Sequence, residues 1–154
     1  MPSYMDLQAE AQLQAEAWEE YEKDLRLRAE ELWVGFRGYL SVPYEKIQNA
    51  DGTEFQYVDF GIRDGRTFTP SNRFQLPVGE NNVSFTIAVN IVHDKGCHTY
   101  FYDIRMSKAR GHYDINVAEP AMHFRQNGVS ASPDFTEVYE ALSRNLLERL
   151  QQRP

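Results

Sequence analysis

The feature that most constrains the fold is a helical pattern that fills the first forty residues. From Ser3 to Leu40 the chain is rich in Ala, Leu, Glu, Gln and Arg and contains no proline. Ser3 and Asp6 have the spacing of a capping box, and Pro43 ends the pattern. About 36 helical residues would span roughly 54 Å, whereas a compact chain of 154 residues is roughly 40 Å across. We therefore predict that this helix extends beyond its own body.

Apolar residues recur along the helix at spacings of three and four. This pattern predicts one buried stripe, consisting of Trp18, Tyr21, Leu25, Ala29, Leu32, Phe36 and Tyr39. Gly35 and Gly38 lower the helix propensity of the last turns, so a break near Gly35 is an alternative to one continuous helix.

The side of the helix opposite Trp18 is acidic but also carries apolar residues, namely Leu13, Leu27 and Val34. A helix with only one surface to bury usually places polar residues throughout its other side, so this pattern predicts a second docking surface. The alternative is a solvated face with isolated exposed leucines and local ion pairs. The predicted partner-binding residues are Leu13, Glu16, Glu20, Asp24, Leu27, Glu31 and Val34.

Negative charge is concentrated in this helix. Residues 1–40 hold nine acids and four bases, a net charge of −5, whereas residues 41–154 hold fourteen and twelve, a net charge of −2. Direct binding to a nucleic-acid backbone requires clustered lysine and arginine, so we expect none. An acidic ridge could instead imitate a row of phosphates and occupy a basic groove on another protein. We expect a partner with a basic surface.

The centre of the chain alternates between apolar and polar residues, which predicts antiparallel strands. The strongest run, 83–91, is followed by a turn containing Gly96 and a second run over 99–106. A second hairpin is predicted from 44–48 to 54–62, with shorter strands over 67–69, 74–78, 113–117 and 121–125. Ser132 and Pro133 predict the start of a final helix.

These patterns predict a single α+β domain over residues 1–154, with no alternation of strands and helices that would favour a parallel sheet. The long acidic helix covers 1–40, and a sheet of five to six mainly antiparallel strands covers 41–130. A C-terminal helix over 132–151 packs on the sheet.

Motifs for phosphate loops, dinucleotide binding, zinc proteases and nucleophile elbows are absent from the sequence. His93, Cys97 and His98 bracket a turn but lack the spacing of zinc ligands, so we expect no metal and no cofactor. Cys97 could pair with His98 or His112 as a nucleophile, although a lone cysteine beside a turn is more often inert.

Strand residues supply two further candidates. Asp59, Asp103 and Asp114 could face a cavity as acids or bases, or could simply be the polar members of alternating strands. The tyrosines at positions 57, 100, 102 and 113 could form an aromatic interface patch, although packing within the sheet is the default.

The location of the protein is predicted from three features. One cysteine excludes an internal disulfide and fits a reducing compartment. The sequence has no apolar run long enough for a membrane span and no secretory signal at its start. We therefore expect a soluble cytoplasmic protein without membrane contact.

Three functional classes fit this sequence, and the first is favoured. It is a non-enzymatic inhibitor or adaptor that binds stoichiometrically through the acidic helix and forms a homodimer through it. In size, charge and class, though not in any motif, the chain is similar to phage or mobile-element inhibitors of host defence complexes, including anti-CRISPR proteins, and to toxin-neutralising immunity proteins. The other classes are an acidic chaperone or secretion adaptor, and a helix-on-sheet enzyme or ligand-binding domain.

Overall fold

The first forty residues form one continuous helix, α1 (Tyr4–Leu40), in a computed structural model that describes residues 1–127 and 133–154. Its 37 residues span about 55 Å. The predicted capping box is present: Asp6 N–H donates to Ser3 Oγ at 3.2 Å, and Ser3 N–H donates to Asp6 Oδ2 at 2.9 Å. The helix does not break at Gly35, so the prediction of a long helix is confirmed.

Short and long strands follow α1. They are β1 (Ile47–Gln48), β2 (Glu54–Phe55), β3 (Val58–Asp64), β4 (Thr67–Pro70), β5 (Val78–Gly79), β6 (Asn82–His93), β7 (Gly96–Ala109), β8 (His112–Val117) and β9 (Met122–Asn127). The hairpin predicted from 44–48 to 54–62 is shorter than expected, because β1 pairs only with β2 and β3 joins the main sheet. The first two residues of the predicted strand over 74–78 lie in a 3-10 turn at Arg73–Gln75, because Asn72 accepts a hydrogen bond from Phe74 N–H at 3.0 Å and caps that turn. Of the predicted strand, only Val78 lies in a strand, β5.

Seven of these strands form one sheet in the order β4-β3-β6-β7-β8-β9, with β5 also paired to β6. Neighbouring strands in this sheet are antiparallel, and the β6–β7 ladder runs from Asn82↔Ser107 to His93↔Gly96. The predicted α+β class is therefore confirmed, with one strand more in the main sheet than the upper expected number.

The core lies between one face of this sheet and the two helices. Of the predicted α1 stripe, Leu25, Ala29, Leu32 and Phe36 are buried. Trp18 and Tyr39 are 45% and 44% exposed, so their assignment to the core is wrong. The pattern also missed Trp33, whose Nε1–H donates to the Val58 carbonyl at 2.8 Å while its ring stacks on Phe60 at 5.1 Å.

The C-terminal helix, α2, spans Thr136–Gln151 and buries Val138, Leu142 and Leu146 in the same core. Its predicted start at Ser132 and Pro133 lies too early. Ser132 is outside the described residues, and Pro133 precedes the first helical turn because Asp134 Oδ1 accepts from Thr136 N–H at 3.0 Å and fixes the start there. Within the described residues, neither helix combines the length and hydrophobicity needed to cross a bilayer.

Gly35 allows the two helices to approach each other. A Cβ at this position would lie 2.0 Å from the Tyr139 hydroxyl oxygen, whereas a Cβ at Gly38 would meet nothing within 4 Å. We expect Gly35→Ala to lower the free energy of unfolding by about 1–3 kcal/mol, because Tyr139 must move out of the core. Gly38→Ala is the matched control and should raise it by about 0.5–1 kcal/mol through helix propensity. Urea denaturation measures both, and equal effects would contradict this role for Gly35.

Candidate docking site on the projecting helix

The first half of α1 extends away from the rest of the protein. Residues 1–20 are all exposed, and the first buried side chain of the helix is Leu25. We call residues 4–20 the projecting segment; it is about 25 Å long. The geometric prediction that this helix reaches beyond its body is therefore correct.

Tyr21 fixes the point at which the helix leaves the body. Its hydroxyl donates to the Asn81 carbonyl at 2.7 Å and accepts from Lys108 N–H at 3.0 Å. These bonds fix α1 to the β5–β6 turn and to β7 at Tyr21. The projecting segment lies on the N-terminal side of this attachment point.

All four predicted partner-binding acids have partners within the chain. Glu16 accepts from Gln12 at 3.0 Å and Glu20 pairs with Lys23 at 3.7 Å on the exposed surface, whereas the other two acids belong to a less exposed network. Asp24 accepts from the Tyr113 hydroxyl at 2.5 Å and lies 3.3 Å from both Lys108 Nζ and Arg28 Nε. Glu31 accepts from Arg28 Nη1 through both of its oxygens, at 3.0 and 2.8 Å. The helical wheel placed Asp24 on the outer side. In the structure its carboxylate contacts Arg28 on the same helix, and Lys108 and Tyr113 on the sheet.

This network raises the pKa values of Tyr113 and Arg28. Burial raises the pKa of the Tyr113 phenol, and its hydrogen bond to Asp24 raises it further. Burial alone would lower the pKa of Arg28, but hydrogen bonds to Glu31 and Tyr113 outweigh that effect and raise it above its usual value. The guanidinium is thus held in its charged form between two carboxylates, where it stabilises the attachment of α1.

The other predicted residues form an exposed line along α1. Leu13 is 58% exposed, and Leu27 and Val34 are also on the surface. With Glu20 they recur every seven residues, so the line runs nearly straight along the helix for about 30 Å. We call Leu13, Glu20, Leu27 and Val34 the outer seam. Glu16 is exposed beside Leu13 and Glu20.

A second line of residues on the projecting segment continues the core stripe. It consists of Leu7, Ala11, Gln14 and Trp18, whose spacing of four, three and four leads directly to Tyr21 and Leu25. We call these four residues the inner stripe. Further along the helix the same side packs on the sheet, but here Leu7 is 57% exposed. This explains why Trp18 was wrongly assigned to the core. The apolar pattern of the helix continues through Trp18, but the sheet does not extend far enough to cover that residue.

Trp18 stands beside a hollow at the base of the projecting segment. Its ring packs edge-on against Tyr21 at 5.5 Å. A cavity of about 620 Å³ lies between these two rings and residues 78–81 of the β5–β6 turn. Exposed tryptophan and tyrosine beside a cavity are typical of the residues that dominate binding energy at protein interfaces.

The projecting segment carries negative charge only. Residues 1–22 contain six acids and neither lysine nor arginine. They are Asp6, Glu10, Glu16, Glu19, Glu20 and Glu22. Glu20 pairs with Lys23 at 3.7 Å, but residues 1–22 themselves supply no cationic side chain, so this part of α1 attracts basic surfaces and repels acidic ones.

The histidine and cysteine candidates for catalysis or metal binding lie in two separate places, at the β6–β7 turn and on β8. Within the described residues, no group of three His, Cys, Asp or Glu could hold a metal ion. Exposed Cys97 contacts the Thr99 hydroxyl at 4.0 Å, while His98 packs on His93 at 4.5 Å. His112 lies 3.6 Å from Asp114 on β8, a carboxylate that also contacts Arg125 and His123.

The other aspartates and the tyrosines have structural partners. Asp59 is buried and accepts from Phe60 N–H at 3.0 Å, and burial raises the pKa of its carboxyl. Asp103 binds Thr86 and Arg63 on the sheet face that both helices leave open. The tyrosines at 102 and 113 are buried on the other, helix-covered face, which agrees with the default of packing and not with the alternative of an interface patch.

Comparison of the chain with protein families, with curated proteins and with solved structures finds no match. What distinguishes the surface is the projecting segment, which has exposed leucine and glutamate on its outer side, the uncharged inner stripe on the other side and an aromatic hollow at its base.

Proposed function

We propose that this protein is a non-enzymatic inhibitor or adaptor that binds a partner protein stoichiometrically through the projecting segment of α1. The observation that carries the proposal is a helix exposed throughout residues 1–20 that nevertheless bears large apolar side chains, among them Leu13 and Trp18. Helices in proteins are stabilised mainly by packing of an apolar face. A partner laid along this segment would supply the packing that its own body does not.

The proposed partner has a basic surface with an apolar floor. Leu13 would enter the floor, and Glu16 and Glu20 beside it would pair with the basic rim, as in other helix-in-groove complexes. Clustered basic residues are typical of proteins that handle nucleic acids. The partner class that fits this charge pattern is therefore a nucleic-acid-handling host defence complex or a basic toxin.

Charge reversal tests this proposal. We expect Glu16→Lys with Glu20→Lys to reduce capture of the partner from extracts of the native cell to background, because both side chains are exposed and the basic rim would then be repelled. Glu140→Lys with Glu148→Lys is the matched control, since it makes the same charge change on exposed sites of α2 and should leave capture unchanged.

The proposal is wrong if both double variants capture the partner as well as the unchanged chain does. Equal loss in both would also contradict it, because the effect would then follow net charge and not the surface of α1. Circular dichroism of each variant, which should match that of the unchanged chain, shows that the fold is retained.

We also propose that two copies associate through the inner stripe, in which Leu7 of one copy lies opposite Trp18 of the other in an antiparallel pair. The stripe itself has no charged residue, but the six acids of residues 1–22 would repel their counterparts in the second copy. Because salt screens exposed charges, the dimer should strengthen as ionic strength rises, whereas the complex with a basic partner should weaken. Sedimentation at tens of micromolar protein measures the first effect, and a monomer at every salt concentration would exclude the dimer.

A further inference from the structure

The face of the sheet turned away from the helices carries a row of polar side chains. Ser84 on β6 pairs with Arg105 on β7, and Arg105 pairs with Asn116 on β8. Directly paired positions in antiparallel strands lie about 4.5–5.5 Å apart. The hydroxyl, guanidinium and carboxamide groups of this row can therefore reach one small ligand together.

The row lies in a groove created by an exchange of partners along β6. This strand pairs with β3 as far as Gly61↔Thr86 and with β5 at Val78↔Val83. Between the two pairings the Pro77 carbonyl lies beside β6 and accepts from Ser84 N–H at 3.2 Å. A cavity of about 460 Å³ lies next to this contact, within the usual size range for small-molecule sites. We call it the open-face groove.

A fixed polar cluster forms one side of the open-face groove. The Thr86 hydroxyl is buried and donates to Asp103 Oδ1 at 2.7 Å, while Arg63 pairs with the other oxygen of the same carboxylate. The Arg63 guanidinium also lies over the Phe101 ring at 5.0 Å. These contacts hold Arg63 and Asp103 in place before any ligand arrives.

Arg105 differs from Arg63 because its charge is not balanced. Among the described residues, no carboxylate is paired with the Arg105 guanidinium, which lines the cavity. The groove therefore has one negative charge, on Asp103, and two positive charges, on Arg63 and Arg105. Its lining also includes apolar residues, among them Ile62 and Pro77.

We propose that the open-face groove binds a small organic monocarboxylate. The carboxylate would accept a bidentate pair of hydrogen bonds from Arg105, the geometry that a guanidinium favours, with Ser84 and Asn116 donating at its sides. The apolar body would lie along Ile62 and Pro77. A monocarboxylate can place its charge against Arg105 and its apolar body against Ile62 and Pro77, whereas inorganic phosphate has no apolar body to bury there. This site lies on a different surface from the projecting segment and does not depend on the function proposed for it.

A nuclear magnetic resonance titration of the full chain with benzoate tests the site. We expect saturable shifts of the backbone amides of Ser84, Arg105 and Asn116. Arg105→Gln should weaken binding about tenfold or more, since it removes a charged hydrogen-bonding partner. Arg66→Gln, an exposed arginine in the β3–β4 turn, is the matched control and should bind as the unchanged chain does.

Two further ligands define the chemistry. Benzamide has the same ring without the charge and should bind at least about tenfold more weakly, and inorganic phosphate should also bind more weakly than benzoate. The proposal is overturned by an absence of saturable shifts up to about 10 mM benzoate, by equal affinity in Arg105→Gln, or by equal or tighter binding of either comparison ligand.

Discussion

We expect deletion of residues 1–20 to abolish binding of the proposed partner and to leave the rest of the protein folded. These residues are exposed throughout, so their removal changes the free energy of unfolding by no more than about 1 kcal/mol, the usual contribution of a lost helix cap. The body keeps the core residues Leu25, Leu32 and Phe36. Thermal unfolding measures the first effect, and titration of the captured partner measures the second.

A chain-length control accompanies this deletion. Replacing residues 1–20 with a glycine–serine segment of equal length should give the same loss of binding, because such a segment is flexible and uncharged. Retained binding in either variant would place the docking surface elsewhere on the protein. A large fall in stability would show instead that the projecting segment packs on its own body.

Replacing Arg28 with alanine lowers the free energy of unfolding by about 2–4 kcal/mol. Its side chain is 11% exposed and pairs with Asp24 at 3.3 Å and Glu31 at 2.8 Å, so the change removes a cation from between two partly buried carboxylates. Because both acids keep some contact with water, we place the effect below that of a fully buried ion pair.

Arg26→Ala is the matched control for Arg28. Arg26 lies on the same part of α1 but, among the residues that the structure describes, donates only to the Leu76 carbonyl, at 3.2 and 3.4 Å. Its removal should cost about 1 kcal/mol, the usual net value of one such hydrogen bond. Urea denaturation of both variants checks this ranking, and an Arg28 variant as stable as the Arg26 variant would contradict the role assigned to the network.

Much of the fold follows from local patterns in the sequence. The capping box of Ser3 and Asp6 and the absence of proline were enough to predict a long helix. Strict alternation over 83–91 was enough to predict β6. The capping box and the strand alternation both depend on contacts within one element or one hairpin. They can therefore be read from the sequence of that segment alone.

Features that depend on distant parts of the chain could not be predicted in this way. Trp18 has the helical period of a core residue, but whether it is buried depends on where the sheet ends. Asp24 has an outward position on the helical wheel, yet Lys108 and Tyr113 bind it from strands more than eighty residues away. The same applies to the open-face groove. Its row of side chains could not be recognised without the register of β6, β7 and β8.

Site-specific photo-crosslinking in the native cell is the sharpest test of docking through the projecting segment. A photoreactive residue replaces Leu13 on the projecting segment, and in a separate chain it replaces Leu147, an equally apolar and exposed position on α2. We expect a discrete adduct with another protein from position 13 and none from position 147. The adduct from position 13 should be lost when Glu16 and Glu20 are changed to lysine. Adducts from both positions, or from neither, would contradict docking through this segment.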